Sequence, residues 1–139
     1  MRKIIVLVSF LTLGGCTTDM PVESFSQRDM SKIYDSAVVL LEKEEFETAA
    51  DEFLNIEREY PYSSWSEQAL IMASYSYFEG KKFKDAISQL TRYTQLYPNG
   101  KSLAYANYLI GQSYYLQIAN LGRDQYNAKK ALERFEIIL

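Results

Sequence analysis

Two Tyr-Pro dipeptides, Tyr60-Pro61 and Tyr97-Pro98, stand 37 residues apart, and the residues leading into them overlay. At that offset Phe46 falls on Phe83, Ala49 on Ala86, Phe53 on Leu90 and Ile56 on Tyr93. Beyond the prolines it carries Ala69 to Ala106, Ser76 to Ser113 and Tyr77 to Tyr114, and it spaces the small residues Ala37, Ser74 and Gly111. Self-similarity at a fixed period constrains the fold more than any composition, because each unit must then be the same supersecondary piece. No proline lies between Pro21 and Pro61 or between Pro61 and Pro98, and the apolar pattern from Asp29 onwards is helical.

The spacing within each unit resembles the tetratricopeptide repeat, with small residues at the helix crossing, large ones four positions on and a closing proline. The second unit supplies Ser74, Tyr77, Ala86, Leu90 and Pro98; the first supplies Ala37, Leu40, Ala49, Phe53 and Pro61. In the third, Gly111 and Tyr114 are in place, and Ala131, Phe135 and Ile138 follow if eight extra residues enlarge the turn. The physical reason is close packing: antiparallel helices approach where side chains are small, and large neighbours fill the remaining space. The expected fold is therefore all-α, a tetratricopeptide-repeat superhelix of about three antiparallel helix pairs. Its helices are expected at 29–43, 46–60, 64–79, 82–96, 102–119 and 128–139, within repeats at about 29–61, 64–98 and 102–139. An unrelated helical bundle is the alternative. Ser64-Trp65-Ser66-Glu67 reads as a capping box, and Gly80 as a left-handed helix end.

The N-terminus reads differently. Arg2 and Lys3 precede "IIVLVSFLTL", residues 4–13. Ten residues are too few to cross a hydrocarbon layer of about 30 Å as a helix, but they suit the middle of a signal peptide. Leu13-Gly14-Gly15-Cys16 then reads as a lipobox. Residues 1–15 are the expected lipoprotein signal peptide, and Cys16 the S-diacylglycerol and N-palmitoyl cysteine. Residues 16–28 form a flexible tether. A free buried cysteine, or a signal peptide cut elsewhere, are the competing readings. Thr17, where an Asp would retain the product in the inner membrane of enteric bacteria, points to the outer membrane.

No catalytic constellation is visible. The chain has no histidine and one cysteine, and it lacks a phosphate-binding glycine loop and a nucleophile elbow. Glu42, Glu44, Glu45 and Glu47 read as a solvated turn, not a metal site. No cofactor is expected. With 15 Lys and Arg against 18 Asp and Glu, the charge does not indicate a nucleic-acid binder. A binding surface is the better candidate. If Tyr77 and its counterparts face the core, Tyr34, Ile71 and Tyr108 are equivalent and face a groove, with Tyr75, Phe78, Tyr105 and Tyr115 beside them. Tyr105, Tyr108, Gln112 and Tyr115 follow a 3-4-3 spacing and share one helix face. Rigid, amphipathic tyrosines suit peptide capture; core packing is the other reading.

Lipobox, tether and helix pairs together resemble the BamD (ComL/YfiO) family of outer-membrane lipoproteins. The likeness covers residues 13–139. It rests on Tyr60-Pro61 with "SSWSEQALIMASYSYFEGKKFKDAISQL", on Tyr97-Pro98, and above all on "YANYLIGQSYYLQIANLGRDQYNAKKALERFEII", whose Gly122-Arg123-Asp124-Gln125 turn looks like that of alphaproteobacterial members. The resemblance implies a non-enzymatic, lipid-anchored factor on the periplasmic face of the outer membrane. It implies BamA and other β-barrel assembly subunits as partners, and unfolded outer-membrane proteins as clients. Members have about five helix pairs, so a C-terminally incomplete product is expected, lacking the repeats that meet BamA. Another periplasmic tetratricopeptide lipoprotein, acting in cell-envelope or division coordination, is the alternative.

Overall fold

A computed structural model describes residues 29–61, 63–119 and 125–139. The stretches expected to be the signal peptide and the tether, with Cys16, and most of the expected Gly122–Gln125 turn lie outside the described residues. Among the described residues six helices follow one another: α1 (Met30–Glu42), α2 (Phe46–Glu59), α3 (Ser64–Glu79), α4 (Phe83–Leu96), α5 (Leu103–Tyr115) and α6 (Gln125–Glu136). Each packs on the next in sequence, and α3 also touches α5, so the molecule is a row of helix pairs in which a unit's core is completed by its neighbour.

Two apolar clusters make this concrete. Ile33, Ala37, Ala50, Phe53, Ile56, Ala69 and Ala73 join α1, α2 and α3. Leu70, Ile71, Ala86, Leu90, Tyr93, Ala106, Leu109 and Ile110 join α3, α4 and α5. Helix α3 supplies both, Ala69 and Ala73 to one side and Leu70 and Ile71 to the other, and Leu54 and Tyr77 pack against each cluster. The crossing at Gly111 is tight: a β-carbon there would stand 2.5 Å from the Phe135 ring. The bidentate Arg92–Glu57 pair, with Nη1 to Oε2 at 2.7 Å, ties α4 to α2 across the repeat boundary.

The turns repeat with the same period. In the first, the Glu45 amide donates to the Leu40 carbonyl (3.0 Å); in the second, Lys82 donates to Tyr77 (2.8 Å). The left-handed residues are Glu44 (φ 63°) and Lys81 (φ 58°), and Gly80 has φ −72°. The expected role of Gly80 is thus corrected. Its missing side chain matters because a β-carbon would approach Phe46 Cβ to 2.9 Å. At the other end of each pair, α2 and α4 stop one residue before Tyr60-Pro61 and Tyr97-Pro98. The missing proline amide and its restriction on the preceding residue make these helix stops. The Tyr60 carbonyl accepts from the Ser63 amide (3.0 Å) and the Tyr97 carbonyl from Gly100 (2.9 Å).

The capping box does not form. Ser63 is the N-cap residue of α3 and makes no side-chain cap bond. Ser66 Oγ donates to the Tyr60 carbonyl, and Glu67 accepts from the Tyr93 hydroxyl at 2.6 Å. The long-range phenol competes successfully for the carboxylate. Gly100 leaves room for this pair, since a β-carbon there would stand 2.6 Å from Glu67 Oε1. The third unit also departs from expectation: α5 ends at Tyr115 and α6 begins at Gln125. Ala131 is buried, but Ile138 lies past the end of α6 and is exposed.

Candidate functional site

Helix α5, "LAYANYLIGQSYY", contains no charged residue. Its buried face is Ala106, Asn107, Leu109, Ile110, Gly111 and Ser113. Buried polar groups there are satisfied: Ser113 Oγ donates to the Leu109 carbonyl (2.7 Å), Asn107 Nδ2 donates to the Leu103 carbonyl (3.0 Å), and Asn107 Oδ1 accepts from Arg134 Nη1 of α6 (3.1 Å). The opposite face carries Tyr105, Tyr108 and Tyr115, at 40%, 42% and 56% exposure. Large aromatic side chains side by side on a surface mark a contact area more often than a lone exposed residue does.

These side chains are arranged, not scattered. The Tyr105 and Tyr108 rings lie nearly parallel (24°) with centroids 6.5 Å apart. Tyr108 also meets Phe135 of α6 at 6.3 Å, and Gln112 Nε2 donates to its hydroxyl at 3.2 Å. Half-buried Tyr75 of α3 adjoins the patch. Burial, then the Glu79 carboxylate, raises its pKa. Burial likewise leads the rise at Tyr105, followed by Tyr75, Glu79 and Tyr108. Glu79 was absent from the sequence-derived set. The signal was present in its position four residues after Tyr75, on the same helix face.

The other expected groove residues are placed differently. Ile71 is buried in the α3–α4–α5 core, and its assignment to an open groove is corrected. Period equivalence puts it level with Tyr108, but α5 packs alongside α3 and closes over it. Tyr34 is half-buried, edge-on to Phe53 (5.3 Å) and to Trp65 of α3 (5.2 Å). Phe78 is half-buried against Phe83 at 5.8 Å. The structure therefore brings together Tyr75, Tyr105 and Tyr108, with Tyr115 further along α5. Ile71 alone of the expected set is fully buried, while Tyr34 and Phe78 are half-buried with ring contacts on one side.

Elsewhere, Glu47 of the acidic turn pairs with Lys82 Nζ at 2.8 Å. Among the described residues no three His, Cys, Asp or Glu side chains converge to hold a metal. No helix there is long and apolar enough to cross a membrane.

Stacked antiparallel helix pairs with small residues at the crossings, a shared central helix and an exposed aromatic face define a tetratricopeptide-like repeat scaffold. The family model YfiO, described as outer membrane lipoprotein, matches residues 26–139, and the chain belongs to that family. It is 31% identical over 123 residues to a Caulobacter vibrioides protein named outer membrane protein assembly factor BamD, covering 87% of this chain and 40% of the relative. A Rickettsia prowazekii protein of the same name is 30% identical over 134 residues, covering 96% of this chain and 53% of the relative. A Xylella fastidiosa protein, again so named, is 28% identical over 109 residues, covering 78% and 37%. The chain spans about half or less of the length of these relatives.

Proposed function

We propose that this chain is a helical-repeat scaffold for outer-membrane protein assembly, working without catalysing a reaction. Its tyrosine face on α5 holds extended segments of unfolded barrel proteins while BamA and other assembly subunits carry the insertion. Cys16, as S-diacylglycerol and N-palmitoyl cysteine after removal of residues 1–15, anchors it to the outer membrane. Residues 16–28 form the tether, and the repeats face the periplasm. Family membership and the shared name of its relatives support the assembly role.

The observation that carries the binding role is the charge-free helix α5, which exposes Tyr105, Tyr108 and Tyr115 on one side and buries the other. Such rings offer contact area at low entropic cost and a hydroxyl for backbone groups of an extended chain. The test is fluorescence anisotropy with labelled peptides copied from the last strand of an outer-membrane barrel. The chain should bind them, and the Tyr105→Ala/Tyr108→Ala double variant should bind roughly tenfold more weakly. Unchanged affinity in a folded double variant would remove α5 from the role.

A further inference from the structure

The two edges of the array differ in kind. At one edge the helices of a pair are joined by hairpin turns that read "KEEFE" at 43–47 and "GKKFKD" at 80–85, dense in charge of both signs. At the other edge successive pairs are joined by "YPYS" at 60–63 and "YPNGKS" at 97–102, where Lys101 is the only charge. Contacts gather this Tyr-Pro edge into one surface. The Trp65 ring at the start of α3 meets Tyr34 of α1 at 5.2 Å. Ser66 Oγ donates to the Tyr60 carbonyl, and the Ser102 amide donates to the Tyr93 hydroxyl at 3.2 Å. Trp65 is the chain's single tryptophan and is 39% exposed; Leu96, at the end of α4, is 52% exposed.

The charges bordering this edge are sorted by sign. Its acids are engaged within the protein: Asp29 accepts from the Ser31 amide at 3.1 Å, Glu57 pairs with Arg92, Glu67 accepts from the Tyr93 hydroxyl at 2.6 Å, and Glu59 has a partner too. At the end of α6, Glu133 pairs with Lys130 at 2.7 Å, Arg134 donates to Asn107, and Glu136 is exposed. The cations Lys32, Arg58 and Lys101 are exposed. Arg58 Nη1 donates to the neutral Asn55 side chain at 2.8 Å. With Leu54, Glu57, Pro61, Gln89 and Arg92 it lines a cleft of about 440 Å³ between α2 and α4.

An exposed tryptophan beside tyrosines and cations is the chemistry of a lipid headgroup layer. Indole and phenol rings settle where one side is apolar and the other wet. Lysine and arginine on the same surface meet phosphates and anionic headgroups, arginine in bidentate fashion. The hairpin edge suits lipid poorly, because its charges would lose water on contact. Helix α1 also begins at the Tyr-Pro edge, so the chain from Cys16 enters there. Even fully extended, the stretch from Cys16 to Asp29 reaches at most about 45 Å, which keeps this edge near the bilayer. We propose that the Tyr-Pro edge of the first two repeats lies on the phospholipid headgroup layer, with Trp65 in the interface and Arg58 and Lys101 on lipid phosphates. The hairpin turns then point away from the membrane. This rests on the lipid anchor at Cys16 and adds to it the orientation of the scaffold. By itself the contact is weak; the anchor supplies the effective concentration at which it forms.

The experiment uses the lipidated protein in vesicles of phosphatidylethanolamine and phosphatidylglycerol, floated on a density gradient to score the anchor. Fluorescence is then read in vesicles whose lipids are brominated at shallow acyl positions. As the single tryptophan, Trp65 reports its own depth without any substitution. Its emission should shift to the blue and be quenched by the brominated lipid. A fluorophore placed by Lys84→Cys on the hairpin edge should not be quenched. Arg58→Gln/Lys101→Gln should still float, with the ratio of docked to undocked protein lowered roughly fivefold or more. Protein that floats with an unquenched Trp65 overturns the docked edge and leaves the anchor standing. Equal quenching at both edges, or undiminished quenching in the double variant, also overturns it. Lipidated protein that fails to float removes the anchor, and the docked edge with it.

Discussion

Ile71 and Tyr108 occupy equivalent places in successive repeats, yet one is 4% exposed and the other 42%. Ile71→Ala should therefore be expensive. It deletes buried methyl groups from a core shared by α3, α4 and α5, a change that typically destabilises by about 2–5 kcal/mol. For an ordered region of this size, each kcal/mol shifts the melting temperature by about 4–8 °C, so a fall of roughly 10 °C or more is expected. Tyr108→Ala loses ring contacts with Tyr105 and Phe135 at 6.5 and 6.3 Å. Aromatic pairs contribute about 0.5–1.5 kcal/mol beyond their burial when well packed, and half-exposed rings sit at the low end, so a shift of a few degrees is expected. The pair of variants is compared by circular-dichroism melting and urea titration, with Ile71→Val as a graded control near 1 kcal/mol. Peptide affinity should move the opposite way, unchanged in Ile71→Ala below its melting point and weakened in Tyr108→Ala. If Tyr108→Ala were as destabilising as Ile71→Ala, Tyr108 would be a core residue and the α5 surface would lose its centre.

Gly111→Ala should push α6 off α5, because the new β-carbon meets the Phe135 ring at 2.5 Å. Overpacking of about 1–3 kcal/mol is offset by about 1 kcal/mol of helix propensity, and adding Phe135→Leu should recover part of the loss in urea midpoint; no recovery would count against this packing. Alkali should unfold the protein in a defined window. Burial and then Asp51 push Tyr77 up to about 12, and burial and then Glu67 do the same for Tyr93. Because the folded values lie above the unfolded tyrosine value near 10, the unfolded chain releases these protons first, and stability should be complete below pH about 10 and decline towards pH about 12. Tyr93→Phe should flatten part of that decline in pH-dependent melts; an unaltered profile would contradict it. Cys16→Ser in the cell-expressed protein should leave the helical spectrum intact and move the protein from the membrane fraction to the soluble fraction, and a variant that still sediments with membranes would refute the lipid anchor.

Much of the architecture is legible in the chain because helix periodicity and the 37-residue repeat are both local or near-local patterns. Small residues at 37, 74 and 111, large ones at 53, 90 and 135, and the Tyr-Pro stops all fall where helix crossings and ends need them. The errors share a cause. Ser64–Glu67 satisfies a capping pattern locally, but the Tyr93 phenol arrives from 26 residues away and takes Glu67. Gly80 satisfies a turn pattern, but Lys81 adopts the left-handed conformation and Gly80 is needed for the approach of Phe46.

The sequence by itself determined the class of fold, the six helices seen among the described residues and the small and large positions at their crossings, since these follow from residue spacing along one chain. Only the tertiary structure decided which of the equivalent aromatic and aliphatic positions remain open. Coverage depends on the neighbouring inner helix: α3 brings Trp65 against Tyr34, Ile71 is enclosed in a core shared with Ala106, Leu109 and Ile110 of α5, and Tyr105 and Tyr108 stay partly exposed. A repeat makes positions equivalent in backbone geometry, but burial is set by what packs against them, and that partner differs from one unit to the next.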